Sequence, residues 1–229
     1  MVASKKQCYL AIDEFQQITE YPEKGVEALL RSHIQFMPNV HFIFSGSKKH
    51  VMEEMFTSAK RPFYQSTQII VLTEIPLENY YSFAHSFFAK EKRELTLETF
   101  SYLYQLENGH TWYVQSILNR LYEKKINPID NRLVDRCIND ILDEQETIYQ
   151  SNLTLLTNNQ VDLLKAIATE GCIKNINAND FIKKHHLKTP SSVNVALKSL
   201  LNKELIYNTP DGYIVYDRFF GKWLKDAVI

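Results

Sequence analysis

The segment "QCYLAIDEFQQI", Gln7 to Ile18, ends an apolar run on two adjacent carboxylates, Asp13 and Glu14. The run from Cys8 to Ile12 does not alternate polar with apolar residues, a pattern that suits a strand covered on both faces, as in a parallel sheet. Such a strand presents its last side chains at the carboxyl end, where open α/β sheets bind ligands. One carboxylate there can hold a divalent cation, directly or through water, and its neighbour can orient or deprotonate a water molecule. Cleavage of a phosphate ester or anhydride requires both tasks within a few ångströms. The competing reading is a helix start, with Asp13 as N-cap and Glu14 in the first turn.

The elements that would position this pair are legible around it. "EKGVEALLRSHIQFMPNV" places Val26, Leu29, Leu30, Ile34 and Met37 at helical spacing and stops at Pro38. "VHFIFSGSKKHVMEEMF" then repeats the opening pattern: a strand from Val40 to Phe44, a small polar turn Ser45-Gly46-Ser47, and a helix with Val51, Met52, Met55 and Phe56 on one side. "TQIIVL", Thr67 to Leu72, reads as a third strand. The first third is therefore β-α-β-α-β, which implies right-handed crossovers and a parallel sheet. From Pro76 to about residue 150, aromatic and aliphatic residues recur at spacings of three and four, with breaks at Asn108-Gly109 and Asn127-Pro128. This predicts a bundle of roughly four helices, with Tyr80, Phe83, Phe87 and Phe88 as a core stripe. From residue 151 the chain predicts a helix capped by Thr157, a second capped by Asn177 or Asn179, and a third capped by Thr189 with Pro190 at its first position and Val193, Leu197, Leu200 and Leu201 buried. A hairpin turning at Asn208-Thr209-Pro210-Asp211-Gly212 and a closing helix from Arg218 to Leu224 complete a winged helix-turn-helix. The fold class is α/β plus all-α, with domains 1–75, 76–150 and 151–229.

Composition narrows the function classes. With 45% hydrophobic and 23% charged residues the chain is a folding sequence, and its net charge of −1 supplies no global attraction to nucleic acid or acidic membranes. Cys8, Cys137 and Cys172 are widely spaced and odd in number, which favours reduced, buried thiols in a cytoplasmic protein over a disulfide or zinc framework. The N-terminus carries no signal-peptide pattern, and no stretch approaches the ~18 apolar residues of a membrane span.

A strand ending in Asp13-Glu14, a second ending in Ser45-Gly46-Ser47, a helical bundle and a winged helix, in that order, resemble the AAA+ P-loop ATPases. The likeness is narrower to the archaeal-type ATPase family allied to the STAND group. In that resemblance "LAIDEFQQI" is the Walker B strand, "FIFSGSKKHVMEEMF" the sensor-1 strand with its helix, "AKRPFYQSTQIIVL" the passage to the last core strand, and "ENGHTWYVQSILNRLYE" the lid motif. The resemblance implies that Asp13 holds Mg²⁺ through its water shell, that Glu14 polarises the attacking water, and that Ser45 or Ser47 hydrogen-bonds that water or the γ-phosphate of ATP. It also implies that Arg61 is a finger for a neighbouring subunit's phosphate. The alternatives are a solvated loop charge for Arg61 and a plain strand-to-helix turn for Ser45-Gly46-Ser47.

Two departures from the family pattern stand out. "GHTWYVQ" lacks the sensor-2 arginine of many relatives, and Arg120, two turns later, is a poor substitute. The P-loop pattern G-x-x-x-x-G-K-[ST] occurs nowhere in the chain. In the family the P-loop strand lies between the sensor-1 strand and the last core strand, so two apolar edges are expected here. Either another chain supplies the N-terminal segment, or Thr67–Leu72 closes the gap, or the edges pair between molecules; closure or homo-oligomer formation is expected over a persistent gap. The chain is then the C-terminal part of a longer ATPase and does not hydrolyse ATP efficiently by itself. The rival reading is a non-catalytic winged-helix regulator or adaptor with a relic ATPase core. In the third helix and wing, 189–216, Lys198 and Lys203 are balanced by Glu204 and Asp211. That neutrality argues for weak DNA binding or none, despite Lys183, Lys184 and Lys188 nearby, and leaves an unidentified protein client as the partner. His185-His186 is read as a surface pair and His110 as a satisfied polar group.

Overall fold

The computed structural model describes residues 7–226. The first six and last three positions, which the expected domains 1–75 and 151–229 include, lie outside the described residues. The chain divides into two compact units, one ending at Leu72 and the other beginning at Thr73.

In the first unit, β1 (Cys8–Ile12) and β2 (Val40–Phe44) pair in parallel, with Cys8 opposite Val40 and Ile12 opposite Phe44. Helix α1 (Val26–Ile34) makes the crossover, and α2 (Lys49–Thr57) follows β2. A 3₁₀ turn, Phe15–Glu20, leaves β1, and its N-cap is Glu14 rather than Asp13. The core is small and mostly aromatic: Phe15, Met55, Phe56 and Phe63 are buried, with Ile12, Leu30, Ile34, Phe44, Val51 and Met52 packed against them. Beyond α2 the chain turns repeatedly, and Phe63 is inserted into this cluster with its ring centroid 5.4 Å from that of Phe15.

Two expectations for this unit are corrected. β1 is not covered on both faces: Tyr9 is 68% exposed and Leu10 is open as well, as is Ile43 of the neighbouring β2. Thr67–Leu72 is not a strand and does not close the sheet; Ile70 is 75% and Leu72 90% exposed. A β-forming composition becomes a strand only when a neighbour accepts its backbone hydrogen bonds. Among the described residues this sheet has two strands, and neither pairs with the segment.

The second unit begins with four helices, α3 (Leu77–Lys90), α4 (Leu97–Leu106), α5 (Thr111–Lys124) and α6 (Asn131–Thr154). Thr96 caps α4 by accepting from Thr99 N at 3.1 Å, and Asp130 caps α6 by accepting from Leu133 N at 2.9 Å. Buried Arg93 satisfies the other end of α5, donating to the carbonyls of Leu121, Tyr122 and Ile126. On α3 the buried stripe is Tyr80, Ala84 and Phe88; Phe83 and Phe87, expected in the core, are exposed and lie against each other instead. Positions 83 and 87 lie about 100° round the helix from the buried stripe, a displacement that spacing alone does not resolve.

Helix α6 runs through residue 150 into α7 (Asn158–Glu170), α8 (Asn179–Lys184), α9 (Pro190–Asn202), the antiparallel hairpin β3 (Ile206–Thr209) and β4 (Gly212–Val215), and α10 (Arg218–Asp226). Thr189 accepts from Ser192 N at 3.3 Å ahead of Pro190, and Val193, Ala196 and Leu200 face inward. The N-cap of α8 is Ala178, not Asn177 or Asn179; the Asn177 amide donates to Asn194. Gly212 follows the turn at φ 141°, pressed against the backbone of Ile173, which makes a single antiparallel bridge to Tyr213. Helix α10 buries Phe219, Phe220 and Leu224, and one hydrophobic core runs through bundle and winged helix. The three thiols are unpaired, but only Cys137 is buried, against the expectation for Cys8 and Cys172.

Candidate functional site

The acid pair and the serine turn meet at the carboxyl ends of β1 and β2. Ser45 N donates to Ile12 O at 3.0 Å and Phe15 N to Ser45 O at 2.9 Å, so the ladder extends one step past each strand and fixes the two tips side by side. Phe15 then enters the core and stacks on Phe44, ring centroids 4.1 Å apart. One aromatic pair therefore anchors the residue after Glu14 and the residue before Ser45. Between them Glu14 adopts a left-handed backbone, φ 48° and ψ 41°, which costs a non-glycine residue on the order of 1 kcal/mol and persists where its surroundings enforce it.

The side chains form two pairs. Ser45 Oγ donates to Asp13 Oδ1 at 2.7 Å, and Glu14 N donates to the same oxygen at 3.0 Å. These bonds, the serine's foremost, hold the Asp13 carboxyl below its ordinary range, so it is ionised at neutral pH. Ser47 Oγ donates to Glu14 Oε2 at 2.9 Å. Gln16 Nε2 donates to that same Oε2 from beneath, and Gln16 is 1% exposed. Asp13, Glu14, Ser45 and Ser47 are thus brought together. Gln16 joins them; its signal in the sequence was an amide within the otherwise apolar face of "EFQQI".

Arg61 is not part of this group. Its guanidinium donates to Glu27 Oε1 at 2.7 Å and to Glu54 Oε1 at 3.2 Å, tying the loop after α2 to α1 and α2. Arg120 pairs with Glu144 of α6.

A separate polar cluster lies in the second unit where α4 and α5 meet α10. Arg218 Nη1 donates to Glu107 O at 2.7 Å, Arg218 N to the Tyr113 hydroxyl at 3.0 Å, and Lys222 Nζ stands 3.4 Å from Glu107 Oε1. Burial raises the Glu107 carboxyl, against the pull of Lys222 and Arg218, and raises the Tyr113 hydroxyl to about 12. His110, the N-cap of α5, is lowered by burial and then by Arg218. In the winged helix, His185 and Lys184 both contact Glu170, at 2.6 and 2.7 Å. Among the described residues no three His, Cys, Asp or Glu side chains group as a metal cage, and no helix is long and apolar enough to cross a membrane. Mg²⁺ fits the strand tips in a limited sense. It keeps most of its waters and needs only one or two carboxylates beside the phosphates it serves, and Asp13 offers an ionised carboxylate whose second oxygen has no hydrogen-bond partner among the described residues.

Comparison with known proteins agrees with this architecture. Residues 147–226 match the family model of a probable winged helix domain. The chain is similar in structure to a Walker-type ATPase of Pyrococcus abyssi, with a TM-score of 0.62 at 18% identity, covering 96% of this chain and 63% of that one. Weaker similarity extends to the RuvB Holliday junction branch migration motor of Thermotoga maritima, with TM-score 0.46, 16% identity and coverage of 93% and 68%. It extends also to the ORC2 protein of Aeropyrum pernix, with TM-score 0.42, 15% identity and coverage of 96% and 65%. No curated protein matches the sequence. The fold is that of the P. abyssi Walker-type ATPase, with a winged helix at its C-terminal end, and the chain spans less than two thirds of that protein's length.

Proposed function

We propose that this chain is the C-terminal part of an ATPase: the Walker B and sensor-1 half of a nucleotide-binding core, a helical lid and a winged helix. In the intact protein, ATP binding and Mg²⁺-dependent hydrolysis drive a conformational switch. The observation that carries the reading is the joining of Asp13 to Ser45 and of Glu14 to Ser47 across two parallel strand tips. The AAA+ fold supports it.

In this reading Asp13 would hold Mg²⁺ through water, and the bound ion would supply charge neutralisation at the phosphates. Glu14 orients the attacking water with Oε1 and draws its proton. Ser45 keeps the Asp13 carboxylate from turning away, and Ser47 adds a solvent-exposed bond to Glu14. The glycine-rich cradle is supplied from outside the 229 residues, on the same polypeptide or another. The two-stranded β1–β2 sheet and the exposed, apolar Ile69–Leu72 favour a further strand as that segment's contribution. Arg61, held by Glu27 and Glu54, is proposed as a brace of this core in place of a phosphate finger. A cytoplasmic setting accords with three unpaired thiols. The winged helix, with Lys198 as the single basic residue among the exposed Ser191, Asn194, Val195 and Lys198 of α9, suits a protein client better than DNA.

The test is calorimetry and turnover with Mg-ATP on protein joined to a P-loop segment. Glu14→Gln should keep nucleotide affinity and lose turnover by about 10²–10⁴-fold, the usual contribution of a general base. Turnover at the parent rate would remove Glu14 from the chemistry.

A further inference from the structure

Gln16 is nearly inaccessible, yet its carboxamide reaches the exposed acid pair. Its two ends have opposite fates. Nε2 donates to Glu14 Oε2, while Oε1 is buried with no hydrogen-bond partner. A buried, unpaired carbonyl is retained only where the geometry gains something for it. The neighbour of that oxygen is Gly46: a Cβ built on Gly46 would lie 2.1 Å from Gln16 Oε1 and 2.9 Å from the Met52 side chain. The middle residue of Ser45-Gly46-Ser47 is therefore small because the Gln16 carboxamide fills the space beside it, and no left-handed backbone demands the glycine. The amide also cannot turn over freely, since exchanging its ends would set a carbonyl against the Glu14 carboxylate.

We propose that Gln16 is the positioning residue of Glu14. From inside the core it clamps one carboxylate oxygen, with Gly46 as the recess that admits it, and so fixes which oxygen of Glu14 faces the reacting water. The inference rests on the reading of Glu14 as the water-orienting carboxylate and names how that side chain is aimed. Ser47 shares Oε2 but is exposed, so its bond competes with water and holds less firmly. The clamp leaves Oε1 of Glu14 without a partner among the described residues, the arrangement a single oriented water requires.

The test is made on the chain itself, by scalar couplings about the Glu14 side chain and the ¹⁵N signal of the Gln16 amide. Gln16→Met keeps the shape, removes the donor and the orphaned carbonyl, and should melt no lower than the parent. A clamp predicts one Glu14 rotamer in the parent and in Ser47→Ala, and averaged couplings in Gln16→Met. Gly46→Ala should reproduce the averaging, because its methyl expels the carboxamide. A side chain that only fills the core predicts unchanged couplings in Gln16→Met, and that result overturns the proposal. In protein joined to a P-loop segment, Gln16→Met should lower kcat roughly 10- to 100-fold with KM unchanged, as for loss of a hydrogen bond to a charged group acting on the transition state alone. If averaging occurs but Glu14→Gln leaves turnover at the parent rate, the ATPase reading of Glu14 fails while the clamp stands.

Discussion

Replacing Phe15 by alanine should release both strand tips while leaving the larger unit folded. Phe15 is buried and touches Phe44, Phe56 and Phe63 with ring centroids at 4.1, 6.1 and 5.4 Å. Truncating such a ring in a core costs about 3–5 kcal/mol. This core has four buried side chains to share the loss, and Phe15 is one of them. At about 1.4 kcal/mol per factor of ten, the loss should raise local opening by roughly two to three and a half powers of ten. Hydrogen exchange read by mass spectrometry should show that rise in β1, β2 and the residues up to Ser45, whose amides bond across the tips. The peptides of α5, α6 and α7 should exchange as in the parent, since they belong to a separate core. Phe15→Leu, which retains most of the volume, should exchange far closer to the parent. Equal protection in Phe15→Ala and the parent would show that the aromatic pair does not hold the tips. Acceleration spread evenly over the chain would refute the independence of the two cores.

Further outcomes follow from individual side chains. Ser45→Ala should raise the Asp13 carboxyl toward its ordinary 3.8, because the serine bond is the main cause of its depression; a carbon-detected titration reads this directly, and the depressed value means Asp13 favours the folded state above 3.8 and loses that contribution as pH falls. Arg61→Ala should destabilise the first unit by about 1–3 kcal/mol, less than a fully buried pair, by stranding the mostly buried Glu27 carboxylate; undiminished stability with lost turnover would restore the phosphate-finger role. Glu107 has a raised carboxyl, so the folded second unit binds the extra proton above pH 4.5 and its stability declines as pH rises through the raised value; Glu107→Gln should flatten that dependence in melts followed by circular dichroism. Thr189→Ala should cost about 1 kcal/mol through the lost cap of α9, seen as a lower denaturation midpoint.

What the sequence disclosed, and what it hid, divides by the range of the interactions involved. The Asp13-Glu14 tip, the Ser45-Gly46-Ser47 turn and the Thr189-Pro190 start of α9 are local patterns, and the structure contains each of them; the hairpin is there too, with Pro210-Asp211 as its turn and Gly212 as the first residue of β4. The Thr67–Leu72 strand failed because its composition says nothing about whether a pairing partner is at hand. Tyr9 and Leu10 were expected to be covered, and their exposure depends on layers that no residue in β1 encodes. Phe83 and Phe87 share the spacing of a core stripe, and the choice of Tyr80, Ala84 and Phe88 was made by the helices they meet. At the strand tips the acids and serines were visible from their types, whereas Gln16 and its recess at Gly46 emerge only when thirty residues of intervening chain fold back. The partners of Arg61 and the Glu107–Arg218–Lys222 cluster were hidden for the same reason: they join positions far apart in the chain.

Helix α6 gives the second unit a mechanical character. Its 24 residues form an unbroken rod of roughly 36 Å at 1.5 Å per residue, beginning in the bundle and ending beside α10. Because a single span belongs to both halves, a tilt imposed at its first turn arrives at the winged helix as a displacement magnified by leverage, with no flexible joint to absorb it. A protease sent to separate the halves would have to cut through a hydrogen-bonded shaft.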